Sequence, residues 1–421
     1  MLKNSKLSKI LLLTIILISF LTPRIFADDT NEVLDDNSTI NKQIVETIET
    51  SSNDVSLPDI NSRAAVVIDR STNRILYGKK ENEKRKMAST TKIMTSLVII
   101  ENCNLDETIE VSKKAAATGG SRLGLKTNDK ITIRDLLYGL MLCSGNDTAV
   151  ALAEHLGGNI EGFAEIMNNR AKELGLESTH FVTPHGLDAD EHYTTAYELA
   201  KLANTALNNE TFIKIVGTKN YTVTINGQPK NISNTNELLG NLAGVYGVKT
   251  GFTNGANRCL VTSCKRNNLD IICIVLGADT KKFRTKDSIK LIEYTFKTFT
   301  PVDIQRLVDE KFEEWKKENL DCFEIIKGQN QNVELKINPL EFETIPINNN
   351  CIKDIKIVID CKQILEAPIW ENTCLGKIEV YAGNELITSC DILLNCNIQK
   401  KNITNYFVEI IKGLKTSFAS F

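Results

Sequence analysis

A serine and a lysine three residues apart, Ser89 and Lys92, open a run in which Ile93, Met94, Leu97, Val98 and Ile100 recur at helical spacing. On a helix, positions i and i+3 share a face, so the lysine amine can reach the serine hydroxyl. A serine alcohol is a weak nucleophile without a neighbouring base, and a lysine serves as that base only when its pKa is drawn down. Burial, the positive end of a helix or a second cation each has that effect. Alone, the pair carries little weight: average composition yields about one or two S-x-x-K matches by chance in a chain this long. Ser89 is also readable as a helix N-cap.

Two further polar motifs follow in chain order. Ser144-Gly145-Asn146 comes after an apolar, helix-like stretch, and Lys249-Thr250-Gly251 after a run ending in Gly247 and Val248. A Lys-Thr-Gly triplet arises by chance in about one such chain in ten. Singly, Ser144 reads as a polar loop residue and Lys249 as a solvated strand lysine. In order and in context, the three motifs supply what acyl transfer at a peptide carboxylate needs: a nucleophile with its base, a proton relay with an amide clamp, and a cationic carboxylate receptor. They imply no cofactor. No C-x-x-C pair occurs, and all four histidines lie between His155 and His192, so a zinc site has little support.

With its contexts Ala88-Ser89-Thr90-Thr91-Lys92-Ile93-Met94-Thr95, Ser144-Gly145-Asn146-Asp147, Thr183-Pro184-His185-Gly186-Leu187-Asp188 and Gly247-Val248-Lys249-Thr250-Gly251-Phe252-Thr253, the chain resembles the low-molecular-mass penicillin-binding proteins of the D-alanyl-D-alanine carboxypeptidase family. The likeness covers roughly residues 60–300 well and the remainder more loosely. It implies a β-lactamase/transpeptidase-like α+β domain, with the site between an antiparallel sheet and a helical subdomain. It further implies that Ser89 attacks the D-Ala-D-Ala carbonyl of peptidoglycan stem peptides while Lys92 takes its proton. Ser144 would pass a proton to the leaving D-alanine, Asn146 would hold the peptide, and Lys249 and Thr250 would address the terminal carboxylate. Gly251 would let the substrate lie against its strand, and the N–H groups of Ser89 and Phe252 would form an oxyanion hole. Arg284 stands where the family places an arginine that helps bind the carboxylate; it is equally readable as a surface arginine at a helix start. His185 is expected to have a structural loop role. β-Lactam antibiotics would be covalent inhibitors.

Positioning these groups requires both helices and strands. Residues 64–69 and 74–77 are β-branched runs flanking Ser71, Thr72 and Asn73, a hairpin pattern; 88–215 is mainly helical, including 133–142 and 148–156; strand-like runs return at 221–225, 259–263 and 271–276; and 286–299 is helical. Strands, helices, then strands indicate an α+β domain over 58–300. After Pro301, alternation at 333–337 and 355–359, and two runs around Gly383-Asn384, predict a small all-β, sandwich-like domain over 301–398. Within 399–421, Ile403, Phe407, Ile410, Leu414, Phe418 and Phe421 form one helical stripe edged by Lys400, Lys401, Lys412 and Lys415. This predicts an amphipathic helix associating with a membrane surface, the alternative being a helix packed on its own domain.

Residues 1–27 carry Lys3, Lys6 and Lys9, an uncharged apolar run and then Ala27, the order of a secretory signal peptide. The acidic, aromatic-free stretch 28–57 reads as a flexible spacer. Removal of residues 1–27 takes away four positive charges and no acid, moving the formal charge from -3 to -7 and disfavouring a nucleic-acid partner. The expected location is the outer face of the cell membrane or the wall. Eleven cysteines at scattered spacings predict mostly free, buried thiols, with Cys259, Cys264 and Cys273 as small core residues. A class A β-lactamase-like enzyme would need an E-x-x-L-N segment, and none lies between Ser144 and Lys249. An endopeptidase or transpeptidase would use the same machinery, and an inactive wall-binding scaffold would keep the fold without the chemistry.

Overall fold

The computed structural model describes residues 56–408, 410 and 411. The signal peptide expected over 1–27, almost all of the spacer expected over 28–57, and positions 412–421 of the terminal helix lie outside the described residues. Strands β1 (Ala64–Asp69) and β2 (Ile75–Lys79) are followed by a 3-10 turn, Ala88–Thr91, that runs into helix α1 (Lys92–Asn102). Helix α1 is buried at every position from Lys92 to Ile99. The apolar set Ile93, Met94, Leu97 and Val98 packs into the core, and the polar Lys92, Thr95 and Ser96 of the same helix are enclosed with it.

Around it are β3 (Thr108–Glu110), α2 (Lys113–Ala117), β4 (Lys130–Thr132), α3 (Ile133–Met141), α4 (Asn146–Gly157), α5 (Ile160–Glu173), α6 (Ala196–Ala206) and α7 (Glu210–Val216). Thr132 and Thr195 cap α3 and α6, accepting from the N–H groups of Asp135 and Glu198. After the hairpin β5 (Asn220–Ile225) and β6 (Gln228–Ser233) come β7 (Val245–Thr253), β8 (Asn257–Arg266), β9 (Leu269–Ala278) and helix α8 (Lys281–Thr298). The main sheet has the order β2-β1-β9-β8-β7, so β7, which carries Lys249, Thr250 and Gly251, is a terminal strand. Its antiparallel register with β8 sets Lys249 opposite Val261 and Gly251 opposite Cys259. The arrangement is mixed α+β, as the sequence predicts.

The chain divides into two units, the first taking in Tyr77–Lys265 and Ile271–Glu293 with the chain up to Ile68, the second Asp69–Leu76, Arg266–Asp270 and the chain from Tyr294 onward. The second is sheet-rich: β10 (Phe299–Asp303), β11 (Glu324–Ile326), β12 (Leu335–Ile337), β13 (Thr344–Asn348), β14 (Ile355–Cys361), β15 (Ile364–Glu366), β16 (Cys374–Ala382) and β17 (Glu385–Leu394). Strands β12, β17, β16 and β14 make one sheet in that order, and Gly383-Asn384 turns β16 into β17. The unit is not purely β, however. A helix, α9 (Ile304–Asn319), buries Ile304, Val308 and Phe312 at four-residue intervals and is capped by Asp303, which accepts from Arg306 N at 2.9 Å. Residues 403–408, 410 and 411 are helical, and among the described residues no helix is long and apolar enough to cross a membrane. The eleven cysteines stand as free thiols, and Cys259, Cys264 and Cys273 are fully buried in strands β8 and β9, but burial is not general as expected: of the others only Cys390 is buried, and Cys322 and Cys374 are exposed.

Candidate active site

Ser89 lies on the 3-10 turn, half-buried, and Lys92 begins α1 with none of its surface exposed. Lys92 Nζ donates to Ser89 Oγ at 2.8 Å, to Asn146 Oδ1 at 2.7 Å and to the His185 carbonyl at 2.9 Å. Residues three apart thus meet even though the serine sits on the tighter turn before the α-helix. The N-cap alternative does not hold: neither the turn nor α1 has a side-chain cap, and Ser89 Oγ takes its bond from the lysine.

Asn146 heads α4, and its amide is fixed from the other side by Nδ2 donating to Gly119 O at 2.8 Å. Next to it, the buried Asp147 accepts from the N–H groups of Leu123, Gly124 and Leu125 at 2.9, 2.7 and 3.0 Å, wrapping the loop before β4 around the helix head. Ser144 is buried two residues before Asn146, in a left-handed conformation with φ 60°. Non-glycine residues in that region are uncommon and cluster at functional sites. Cys143 points inward and its Sγ donates to Gly139 O at 3.1 Å. Burial pushes its thiol up to about 11, the Asp147 carboxylate adding to the rise against the pull of Lys249 and Lys230, so at neutral pH it is a protonated packing residue.

Strand β7 approaches the nucleophile turn directly: a Cβ at Gly251 would stand 3.2 Å from Ser89 N and from Ala88 Cβ. Lys249 and Gly251, two apart on a pleated strand, share a face. Lys249 is 1% exposed, which removes the solvated-strand reading; its Nζ donates to Thr250 O at 3.0 Å. Thr250 Oγ1 lies 2.8 Å from Thr235 Oγ1. Phe252 packs its ring over the Arg258 guanidinium, 3.7 Å from the centroid.

Arg284 is not a surface residue either. It is 1% exposed on α8, and its Nη2 donates to Glu237 Oε1 at 2.5 Å, while Thr285 Oγ1 donates to the same oxygen. Burial would raise the Glu237 carboxyl, but Arg284 and the Thr285 hydroxyl hold it below the usual carboxylate range. The segment 235–237 thus joins the Thr250 contact to the Arg284 contact.

The loop bearing His185 closes the site. Thr95 Oγ1 donates to Pro184 O at 2.6 Å, and Asp188 accepts from Thr253 Oγ1 at 2.8 Å and Gly255 N at 2.9 Å, so the loop ties α1 to the end of β7. Burial, then the charge of Lys92, push the His185 imidazole down to about 3. The ring is neutral at pH 7, and its Nδ1 accepts from Leu187 N at 3.2 Å within the loop. Sequence reasoning missed Thr235, Glu237 and Asp147 as supports; of these only Asp147, inside the quoted Ser-Gly-Asn-Asp context, left a visible signal.

Residues 51–280 match the family described as D-alanyl-D-alanine carboxypeptidase. The chain is 32% identical over 352 residues to D-alanyl-D-alanine carboxypeptidase DacF of Bacillus subtilis (strain 168), covering 82% of this chain and 88% of that protein. It is 34% identical to D-alanyl-D-alanine carboxypeptidase DacD of Escherichia coli (strain K12), with 77% and 83% covered. Among solved structures, D-alanyl-D-alanine carboxypeptidase DacD from Francisella tularensis aligns with a TM-score of 0.67 at 25% identity over 84% of this chain and 98% of that one. The Streptomyces K15 DD-transpeptidase aligns with a TM-score of 0.55 at 36% identity over 57% and 99%. The fold shared with these structures is of the transpeptidase/β-lactamase type.

Proposed function

The chain belongs to the D-alanyl-D-alanine carboxypeptidase family, and on that premise we propose how its residues release the terminal D-alanine of peptidoglycan stem pentapeptides. It is a serine-type hydrolase of the cell-wall peptidases. The observation that carries our assignment is the Lys92 Nζ contact of 2.8 Å with Ser89 Oγ, with its other bonds to Asn146 Oδ1 and the His185 carbonyl. As a neutral amine, Lys92 keeps two N–H donors on those oxygens and turns its lone pair on the Ser89 hydroxyl. Ser89 Oγ attacks the carbonyl carbon of the penultimate D-alanine as its proton passes to Lys92. The oxyanion is met by the N–H groups of Ser89 and Phe252. Collapse of the adduct expels D-alanine, whose nitrogen takes a proton through Ser144, and water then hydrolyses the Ser89 ester.

The peptide lies along the terminal strand β7 in the manner of an added strand, with Gly251 keeping the path open, Asn146 holding its amide, and Lys249 and Thr250 receiving the carboxylate. We give Arg284 a positioning role instead of the direct carboxylate contact that the resemblance implies, because its guanidinium is buried and already paired with Glu237. Incubated with a pentapeptide ending in D-Ala-D-Ala, the protein is expected to release one equivalent of D-alanine per peptide, and labelled penicillin is expected to mark the tryptic fragment holding Ser89. No released D-alanine and no label would defeat the reading, and rapid penicillin turnover would favour a β-lactamase.

The helical end supports attachment of an exported enzyme to the extracytoplasmic face of the cell membrane. Ile403 (86% exposed), Phe407 (66%), Ile410 and Ile411 project on one stripe next to Lys400 and Lys401. The full chain from Asp28 is expected to float with phosphatidylglycerol-rich vesicles, and the triple variant Ile403→Asp, Phe407→Asp, Ile410→Asp to remain in the soluble fraction. Equal flotation of the two would reject the helix as the attachment.

A further inference from the structure

The peptide group between Ala88 and Ser89 is held from its carbonyl side. Ala88 is a buried non-glycine residue at φ 49°, a conformation that persists only where its surroundings impose it. Thr91 Oγ1 donates its single proton to Ala88 O at 2.8 Å. The same hydroxyl lies 2.8 Å from His192 Nε2, toward which it can act only as acceptor. His192 Nδ1 accepts from Val182 N at 2.9 Å, so the ring proton is on Nε2 by two independent criteria. Burial foremost, then His180, push His192 down to about 4, so the ring is neutral at pH 7. The groups form one directed chain: Val182 N–H to His192, His192 Nε2–H to Thr91 Oγ1, Thr91 O–H to Ala88 C=O. Gly186, at φ 86°, seals it from the other side; a Cβ there would fall 1.9 Å from Ala88 O.

We propose that His192 and Thr91 are positioning residues for catalysis, orienting and polarising the Ala88–Ser89 amide so that the Ser89 N–H is aimed as an oxyanion donor. The inference rests on the role assigned above to that N–H. A hydrogen bond to a peptide carbonyl strengthens the donor on the same peptide group, and such chains reinforce along their length. The gain is realised when negative charge develops on the substrate oxygen, so it belongs to the transition state and appears in kcat instead of KM. Nothing in the sequence marks His192 for this, since it lies 101 residues from its partner.

Thr91→Val and His192→Leu are each expected to lower kcat for D-alanine release, and the limiting rate of penicillin acylation, roughly tenfold with KM unchanged, less than the 10²–10³ for deletion of a whole oxyanion donor. Because the two act as one chain, the double variant is expected to lose under twofold more than Thr91→Val alone. Thr91→Ser and His192→Gln, which keep a donor in place, are expected to stay within threefold of the parent. Acylation within twofold of the parent in folded Thr91→Val, or losses that multiply in the double variant, would overturn the proposal. Should Thr91→Val not fold, Thr91→Ser against His192→Leu decides it, since equal rates in that pair reject the chain. Ser89→Ala serves as the separate control: penicillin label surviving in it refutes the nucleophile assignment, whereas loss of label there with parental rates in the other variants refutes only the relay.

Discussion

Ser89→Ala is expected to release no measurable D-alanine, and Lys92→Met, with the serine intact, to lower the acylation rate by on the order of 10³ or more. Lys92 is enclosed, so methionine fits its volume without admitting water, and the variant removes the amine with little else disturbed. What remains is a hydroxyl with no base beside it, and a buried Asn146 Oδ1 and His185 carbonyl that have lost a donor. The two variants differ in a useful way. Alanine at 89 abolishes the covalent penicillin adduct, whereas methionine at 92 slows its formation and leaves its position unchanged. Stopped-flow labelling with mass mapping of the fragment separates them, and label appearing in Lys92→Met at the parental rate would remove the lysine from the mechanism. Thermal melting of both variants establishes that the fold is retained.

How much of this arrangement can be read from the chain alone depends on the distance between partners. Ser89 and Lys92 are three apart, so helix geometry predicts their contact, and the Lys-Thr-Gly strand declares itself by its apolar lead-in. The contacts that make the pair work are remote: Lys92 reaches Asn146 across 54 positions and the His185 carbonyl across 93. No local periodicity encodes those. Burial is equally hidden, since a lysine at 249 and an arginine at 284 look solvated until the elements around them are placed. Helix α9 is a different case. Its apolar residues at 304, 308 and 312 carry the helical period openly, but the alternation of the strands that follow dominates a reading of the segment as a whole.

Gly251→Ala is expected to retain the fold and to acylate about 10²-fold more slowly, the scale of losing one oxyanion donor. The added methyl would stand 3.2 Å from Ser89 N and Ala88 Cβ and 3.3 Å from Met87 O, a few tenths of an ångström inside ordinary contact. Two of these three neighbours are backbone, which cannot swing aside as a long side chain would. Strand β7 is pinned by its pairing of Gly251 with Cys259, and the nucleophile turn by the Thr91 hydroxyl on Ala88 O, while the helix it runs into is held by Lys92 and Thr95 donating to the carbonyls of His185 and Pro184. Crowding of this kind costs about 1–3 kcal/mol of stability, visible as a lowered melting temperature without loss of the native transition. The larger effect is on chemistry, because the methyl occupies the space before the Ser89 N–H that the substrate carbonyl oxygen must enter. Penicillin and pentapeptide approach that N–H alike, so both rates fall together. A folded variant that acylates within threefold of the parent would mean that strand and turn separate readily, and that the oxyanion is bound elsewhere.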